Sequence, residues 1–175
     1  MHFLNTISYL QHGTIRQQQA FYALSKNLIM EKLVGFTPTL AGTIPLNIDI
    51  ENSDLDILCY WQDEDDFVKM IHSNFRDNNG FTIKQTEING QRTVIANFLC
   101  KDFEVEIFGQ GIPVMQQMGY LHMLAEYKIL QKQGDEFRQQ VIALKSSGYK
   151  TEPAFAKLLN LNGDPYIAIL QYRSI

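Results

Sequence analysis

The chain has no apolar run close to the roughly 20 residues that a membrane-spanning helix requires. Its first 13 residues also lack the basic start, apolar stretch and small-residue cleavage site of a secretory signal. A cytoplasmic protein without a membrane partner is expected. Only two of the 175 residues are cysteine, which excludes a disulfide framework and a paired-thiolate metal centre. Cys59 and Cys100 both stand in apolar, strand-like runs and read as buried free thiols. Positive charge is not in excess. With 15 Lys and Arg against 19 Asp and Glu, the net charge is −4. Nucleic-acid phosphates gain no global attraction from such a chain, and a long nucleic-acid partner would need a local basic patch. This balance weighs against nucleic acid without excluding it. A phosphorylated substrate likewise needs a metal or a few placed cations. Also missing are a Walker-type phosphate loop, a Gly-x-Ser-x-Gly elbow and a Cys/His cluster.

What is present is a globular composition, 45% hydrophobic and 19% charged, in a length suited to one domain with its own core. Helical spacing of Ile15, Ala20, Phe21, Leu24, Leu28 and Ile29 predicts a helix over 15–32, with Thr14 as its N-cap. A short strand is expected at 36–41 and a Gly/Pro/Asn/Asp-rich loop at 42–53. A strand is expected at 54–61 and a helix from the acidic run 63–66 to about residue 76, its first-turn acids suited to the positive helix N-terminus. Two strand-like runs, 81–88 and 91–100, meet at Asn89-Gly90, the preferred type I′ hairpin turn. Lys101-Asp102 makes a second tight turn into a strand at 103–108, giving a three-strand antiparallel meander. Beyond Pro113 the pattern is helical, divided at Gly134, Gly148 and Gly163, with Thr151 read as a further N-cap. The expected architecture is a single α/β (α+β) domain over 1–175. It has a mixed, largely antiparallel sheet flanked by helices in a core at about 14–110, and a helical tail at about 113–171.

The chemistry concentrates between residues 42 and 57. A Gly42-Thr43 pair is followed, ten residues on, by Asp54-Leu55-Asp56-Ile57. Side chains two apart on a strand share a face, so Asp54 and Asp56 point together and Leu55 and Ile57 point to the core. Neighbouring carboxylates disfavour each other's ionisation, and a divalent cation relieves that cost. Mg²⁺ favours carboxylate and phosphate oxygens, with Mn²⁺ the alternative. Glu104 and Glu106 share a face of the later strand. If that strand neighbours the Asp54 strand, one of the two lies about 5 Å to the side, and which one is left open by the pattern. Three such acids can hold one or two metal ions for phosphoryl or nucleotidyl transfer. Gly42 permits close backbone approach to a phosphate, Thr43 supplies a hydroxyl, and Ser53 stands directly before Asp54.

These residues resemble the signature of the nucleotidyltransferase superfamily, a Gly-Ser or Gly-Gly pair followed by two alternating acids, with a third acid on a later strand. More narrowly, residues 42–57, the run Glu106-Ile107-Phe108-Gly109-Gln110 and residues 144–155 resemble DUF4269, a bacterial family of nucleotidyltransferase-like proteins. The resemblance implies Mg²⁺-dependent transfer of a nucleoside monophosphate from a nucleoside triphosphate to an acceptor. By position, Asp54, Asp56 and Glu106 would be catalytic and metal-binding, and Gly42 and Thr43 would contact phosphates. The chain departs from the pattern in having Thr43 where Ser or Gly is usual. Pro45 and Asp49 also stand where a helix normally follows the glycine pair.

Secondary candidates for substrate contact are Ser53, Glu104, His122, Lys128 and Lys150. Arg138, Lys145 and Lys157 add positive charge to the tail, which otherwise reads as a solvated helical surface. Two rivals stand beside the transferase reading. One is an inactive nucleotide-binding or interaction module on the same fold, and the other is a phosphohydrolase using the same metals.

Overall fold

The structure, a computed structural model, describes residues 6–172. A 3₁₀ turn at Ser8–His12 leads into α1 (Ile15–Lys26). Thr14 begins α1 with a full capping box: its hydroxyl accepts from the Gln17 N–H, and the Gln17 side chain accepts from the Thr14 N–H. The helix expected over 15–32 breaks early. Leu28 sits in the left-handed region at φ 53°, and α2 (Ile29–Lys32) starts anew. Asn27 explains the break, because its side chain donates to the Ala23 carbonyl at 2.8 Å and competes with the helix ladder.

The strand expected at 36–41 is shorter than its pattern. Phe36 belongs to a 3₁₀ turn and Thr37 has φ 47°, so β1 is only Thr39–Ala41. The remaining sheet follows the expected segments closely. β2 is Leu55–Tyr60, β3 Thr82–Ile88, β4 Gln91–Cys100 and β5 Phe103–Gln110, with α3 (Glu64–Phe75) between β2 and β3. Asn89 (φ 51°) and Gly90 (φ 75°) make the type I′ turn, and Lys101 (φ 55°) turns β4 into β5.

The strand order is β1-β2-β5-β4-β3. β1 pairs antiparallel with β2, β2 parallel with β5, and β5-β4-β3 form the antiparallel meander. The parallel β2–β5 pairing needs a long crossover, and α3, β3 and β4 supply it. One face of the sheet carries Leu55, Ile57, Val94, Ala96, Val105 and Ile107, all buried against α1 and α3. Each fully buried side chain of this kind contributes about 1.5–3 kcal/mol. Phe75 of α3 stacks on Phe98 of β4 with centroids 5.1 Å apart.

The other face belongs to the tail. After a 3₁₀ turn at Val114–Gln116 come α4 (Met118–Ser146), α5 (Thr151–Leu158) and α6 (Pro165–Gln171). Gly134 interrupts α4 at φ 80°, where the sequence divides the helical pattern. Tyr120, Met123, Val141 and Phe155 pack with Leu58 into a second apolar cluster. β3 at the sheet edge is exposed along most of its length. Thr151 is the first residue of α5 rather than its cap, since Lys150 holds the cap position. Cys59 and Cys100 are buried free thiols. No helix among the described residues is long and apolar enough to cross a membrane.

Candidate active site

Where the tail meets the acid-bearing face of the sheet, a cleft of about 660 Å³ opens, within the usual range for ligand sites. Its floor is set by strand register. Asp56 on β2 is flanked by Ala41 on β1 and Glu106 on β5. Both acids face the tail because Leu55, Ile57, Val105 and Ile107, one residue out of phase, fill the opposite core. Asp54 lies just before β2 and also lines the cleft.

The acids act on one another. Burial pushes the Asp56 carboxyl up to about 7, helped by the charges of Asp54 and Glu106 and opposed by Lys145. Burial also raises Glu106, as do Asp54 and, more weakly, Glu104, while Lys84 of β3 pulls it down. Of the two glutamates on β5, Glu106 enters the cleft. Glu104 is exposed beside the Lys101-Asp102 turn and does not line the cleft. This departs from Glu104 as a substrate contact, because Asp56 pairs in register with residue 106 and not with residue 104.

Gly42 adopts φ 76° and sits directly under the Asp56 carboxylate, where a Cβ would collide with its Oδ2. Only glycine satisfies both conditions. Thr43 lines the cleft, with its hydroxyl donating to Ser53 Oγ at 3.2 Å. Ser53 in turn accepts the Ile50 N–H at 2.9 Å. Ser53 therefore stands behind Thr43 as a brace and does not line the cleft itself.

After Thr43 the chain forms a turn instead of a helix, with the Leu46 and Ile48 N–H groups both donating to the Thr43 carbonyl. Ile44, Leu46 and Ile48 point inward and are buried. Their three carbonyls each receive one side-chain donor. Gln17 Nε2 reaches Ile44 O at 2.8 Å, Arg138 reaches Leu46 O at 2.6 Å, and Lys145 Nζ reaches Ile48 O at 2.6 Å. Arg138 and Lys145 are thus not the solvated tail cations that helical patterning suggests. Lys145 is only 6% exposed. Burial lowers its ammonium, while Glu126, Asp49, Asp54 and Glu152 hold it up, leaving it somewhat below the usual lysine range.

The tail wall carries His122, Glu126, Lys150, Glu152 and Tyr166. His122 Nδ1 meets Glu152 Oε1 at 3.3 Å, and its Nε2 meets the Tyr166 carbonyl at 3.1 Å. Both ring nitrogens face acceptors, which suits the doubly protonated ring. The Glu152 hydrogen bond accordingly raises His122 above its usual 6.5 against the effect of burial. For Glu152, burial is outweighed by the bonds from His122 and from its own backbone, and it lies low. A proton-resolved NMR titration is expected to find His122 titrating above 6.5, and lower after Glu152→Gln. A His122 shift that ignores that exchange would remove the pair from the account.

Lys150 lines the cleft from an exposed position. Lys128 does not reach it. Six residues beyond His122 on a helix of 3.6 residues per turn, Lys128 points elsewhere and is exposed. Arg92 is held by Glu64 at 2.6 Å, away from the cleft. Sequence reasoning passed over Glu126, Glu152, Tyr166 and Lys84. The i, i+4 spacing of His122 and Glu126 was the one local signal that two of the cleft's polar groups share a helix face.

The donor set on the cleft floor is the carboxylate oxygens of Asp54, Asp56 and Glu106, which suit Mg²⁺ or Mn²⁺ better than Zn²⁺. Among the described residues no three His, Cys, Asp or Glu side chains close into a ready-made cage. Mg²⁺ commonly uses one or two carboxylates together with waters and substrate phosphates, so Asp56 with Asp54 or Glu106 remains a fitting partial set.

A family model described as "Domain of unknown function (DUF4269)" matches residues 22–172. No curated protein matches. Solved structures do. The Cid1 poly(U) polymerase with Mg and 3'-dATP bound superposes with a TM-score of 0.56 at 12% identity, over 97% of this chain and 54% of that one. The GLD-2/RNP-8 complex gives 0.53 at 12% identity, over 81% and 56%. The polymerase core of TRAMP, an RNA surveillance complex, gives 0.53 at 10% identity, over 93% and 50%. The chain spans about half the length of these proteins. At such identities the likeness establishes the fold, which is that of the nucleotidyltransferases.

Proposed function

For this chain, which belongs to the DUF4269 family, we propose Mg²⁺-dependent transfer of a nucleoside monophosphate from a nucleoside triphosphate to an acceptor. The observation that carries the reading is the register of β2 and β5. It sets Asp56 beside Glu106 on the cleft floor, with Asp54 next to them and Gly42-Thr43 at the same rim. The nucleotide-bound polymerase that shares the fold supports it.

In this reading Asp54, Asp56 and Glu106 hold the metal. When bound, Mg²⁺ neutralises charge on the donor phosphates and on the leaving pyrophosphate. Gly42 leaves its backbone open to a phosphate, and Thr43 contributes its hydroxyl once released from Ser53. Lys150 and the two unused Nζ–H groups of Lys145 lie on the same side as point charges for the triphosphate. The acceptor oxygen bonds to the α-phosphorus as the bond to the β-phosphate oxygen breaks. Glu106, beside Asp56 in register, is the carboxylate placed to take the acceptor proton. Catalysis is mainly positioning and charge compensation. Acceptors compatible with the cleft are a small molecule, a protein side chain or an RNA end.

The rival reading is a module on the same fold that binds nucleotide without turning it over. Titration with ATP, GTP, CTP and UTP, with and without Mg²⁺, separates the two. Mg²⁺-dependent binding that the Asp54→Asn, Asp56→Asn double variant loses, followed by pyrophosphate release with an acceptor, is the expected result. Metal-independent binding unaffected by the double exchange would move the assignment to the inactive module. Release of free nucleoside monophosphate without an acceptor product would make it a hydrolase.

A further inference from the structure

Among the polar side chains of the cleft that have no part in the reaction above, Glu126 is the most buried. Glu126 of α4 is 4% exposed and lines the cleft. The described residues offer its carboxyl no hydrogen bond. Its electrostatic neighbours are Glu152, which opposes its charge, and Lys145, which favours it. With no such partner among the described residues, the carboxyl has only the cleft to turn to. In a cleft, such a group points to a ligand that completes it.

The surroundings indicate which kind of ligand. Leu58, Phe108, Met123 and Tyr166 share the cleft with Glu126 and offer apolar and aromatic surface. A planar heterocycle matches both parts: its faces suit the apolar walls, and its edge carries N–H donors for a carboxyl. A bare ammonium would use the acid but cover far less of those walls. Lys145 lines the same cleft and has Asp54 and Glu126 among its charged neighbours. A nucleotide with phosphates at the floor acids can therefore set its base against the tail wall that carries Tyr166 and Glu126. Burial raises Glu126 well above the usual carboxylate range, and its carboxyl oxygens can accept the N–H donors of a base edge.

We propose that Glu126 is the base-reading residue of the cleft, hydrogen-bonding the polar edge of the nucleotide's ring and setting which triphosphate is preferred. The inference rests on the nucleotidyltransferase reading, and the experiment separates the two. Affinities of ATP, GTP, CTP and UTP with Mg²⁺ are measured for the wild type, for Glu126→Ala, which leaves the pocket open, and for Glu126→Leu, which keeps its volume. The wild type is expected to prefer one or two bases. In both variants the preferred base should weaken by about tenfold or more, as for a lost hydrogen bond in a buried site, with the others little changed. Preference would then flatten while Mg²⁺-dependent binding persists. An equal fall for all four triphosphates, an unchanged preference, or a wild type without preference would overturn the assignment of Glu126. A folded wild type that binds none of the four would instead overturn the nucleotidyltransferase reading itself.

Discussion

Lys145→Met is expected to lower stability by roughly 3 kcal/mol, a fall in Tm of about 6–12 °C for a protein of this size. Two losses combine. The Ile48 carbonyl forfeits its donor at 2.6 Å, and a buried carbonyl without a partner costs about 1–3 kcal/mol. Glu126, Asp49, Asp54 and Glu152 also lose the cation that their charges surround. The damage should extend into the site, because Ile48 belongs to the turn that starts at Thr43 and whose carbonyls are tied to α1 and α4. Nucleotide affinity should fall with stability. Lys150→Met is the matching control. Lys150 is exposed, and its exchange should change stability by less than about 0.5 kcal/mol. Thermal melts of the two variants decide the point, and equal Tm values would mean that Lys145 does not fasten the loop.

Asp56→Asn is expected to separate stability from activity. In the folded protein the Asp56 carboxyl is pushed up to about 7, against an ordinary value near 3.9 in the unfolded chain. Below about pH 4 both states hold the proton and its contribution is fully present. Between that pH and 7 the unfolded chain releases the proton while the fold retains it. The metal-free protein therefore loses stability as pH rises through this window, with an upper bound of roughly 4 kcal/mol. Partial contact of Asp56 with solvent reduces the realised value. Asn has no proton to lose. The Tm advantage of the variant over wild type should be small at pH 4, grow steadily towards pH 7 and level off by pH 8. Mg²⁺ should narrow it by stabilising only the wild type. Transfer by the variant should be slower by about 10²–10³-fold, the usual cost of removing one electrostatic contributor. Parallel Tm curves from pH 5 to 8 would remove Asp56 as the strained group of the site.

Much of the sheet was legible because its signals are local. Asn89-Gly90 dictates a hairpin whatever lies around it, and the alternation of Asp54, Leu55, Asp56 and Ile57 assigns each side chain to a face of β2. The same locality misled at 15–32. The periodicity of Leu24, Leu28 and Ile29 carries no record that Asn27 would bond back to Ala23 and break the helix. At 36–41 the apolar pattern did not reveal the left-handed Thr37 that shortens β1.

For the site, residue types and spacing determined which acids share a face and that a glycine precedes them. They also marked the stretch after Gly42 as unsuited to a regular helix, and it forms a turn. Tertiary structure decided the rest. The choice between Glu104 and Glu106 depends on the parallel register of β2 against β5, which is set by packing of segments some 50 residues apart in the chain. Lys145 and Lys128 are both lysines in helical segments, with no local signal to tell them apart. The difference between them, one buried against the Ile48 carbonyl and one in solvent, arises only where α4 crosses the 43–48 turn after its break at Gly134. Glu126 reads in sequence as an ordinary helical acid, and its burial in the cleft wall comes from how the tail docks on Leu58 and Phe108. Strand alternation and turn chemistry act over two to four residues and are written in the chain. Register, burial and the surroundings of a charge are set by contacts between distant segments, and they exist only once the tail has closed on the sheet.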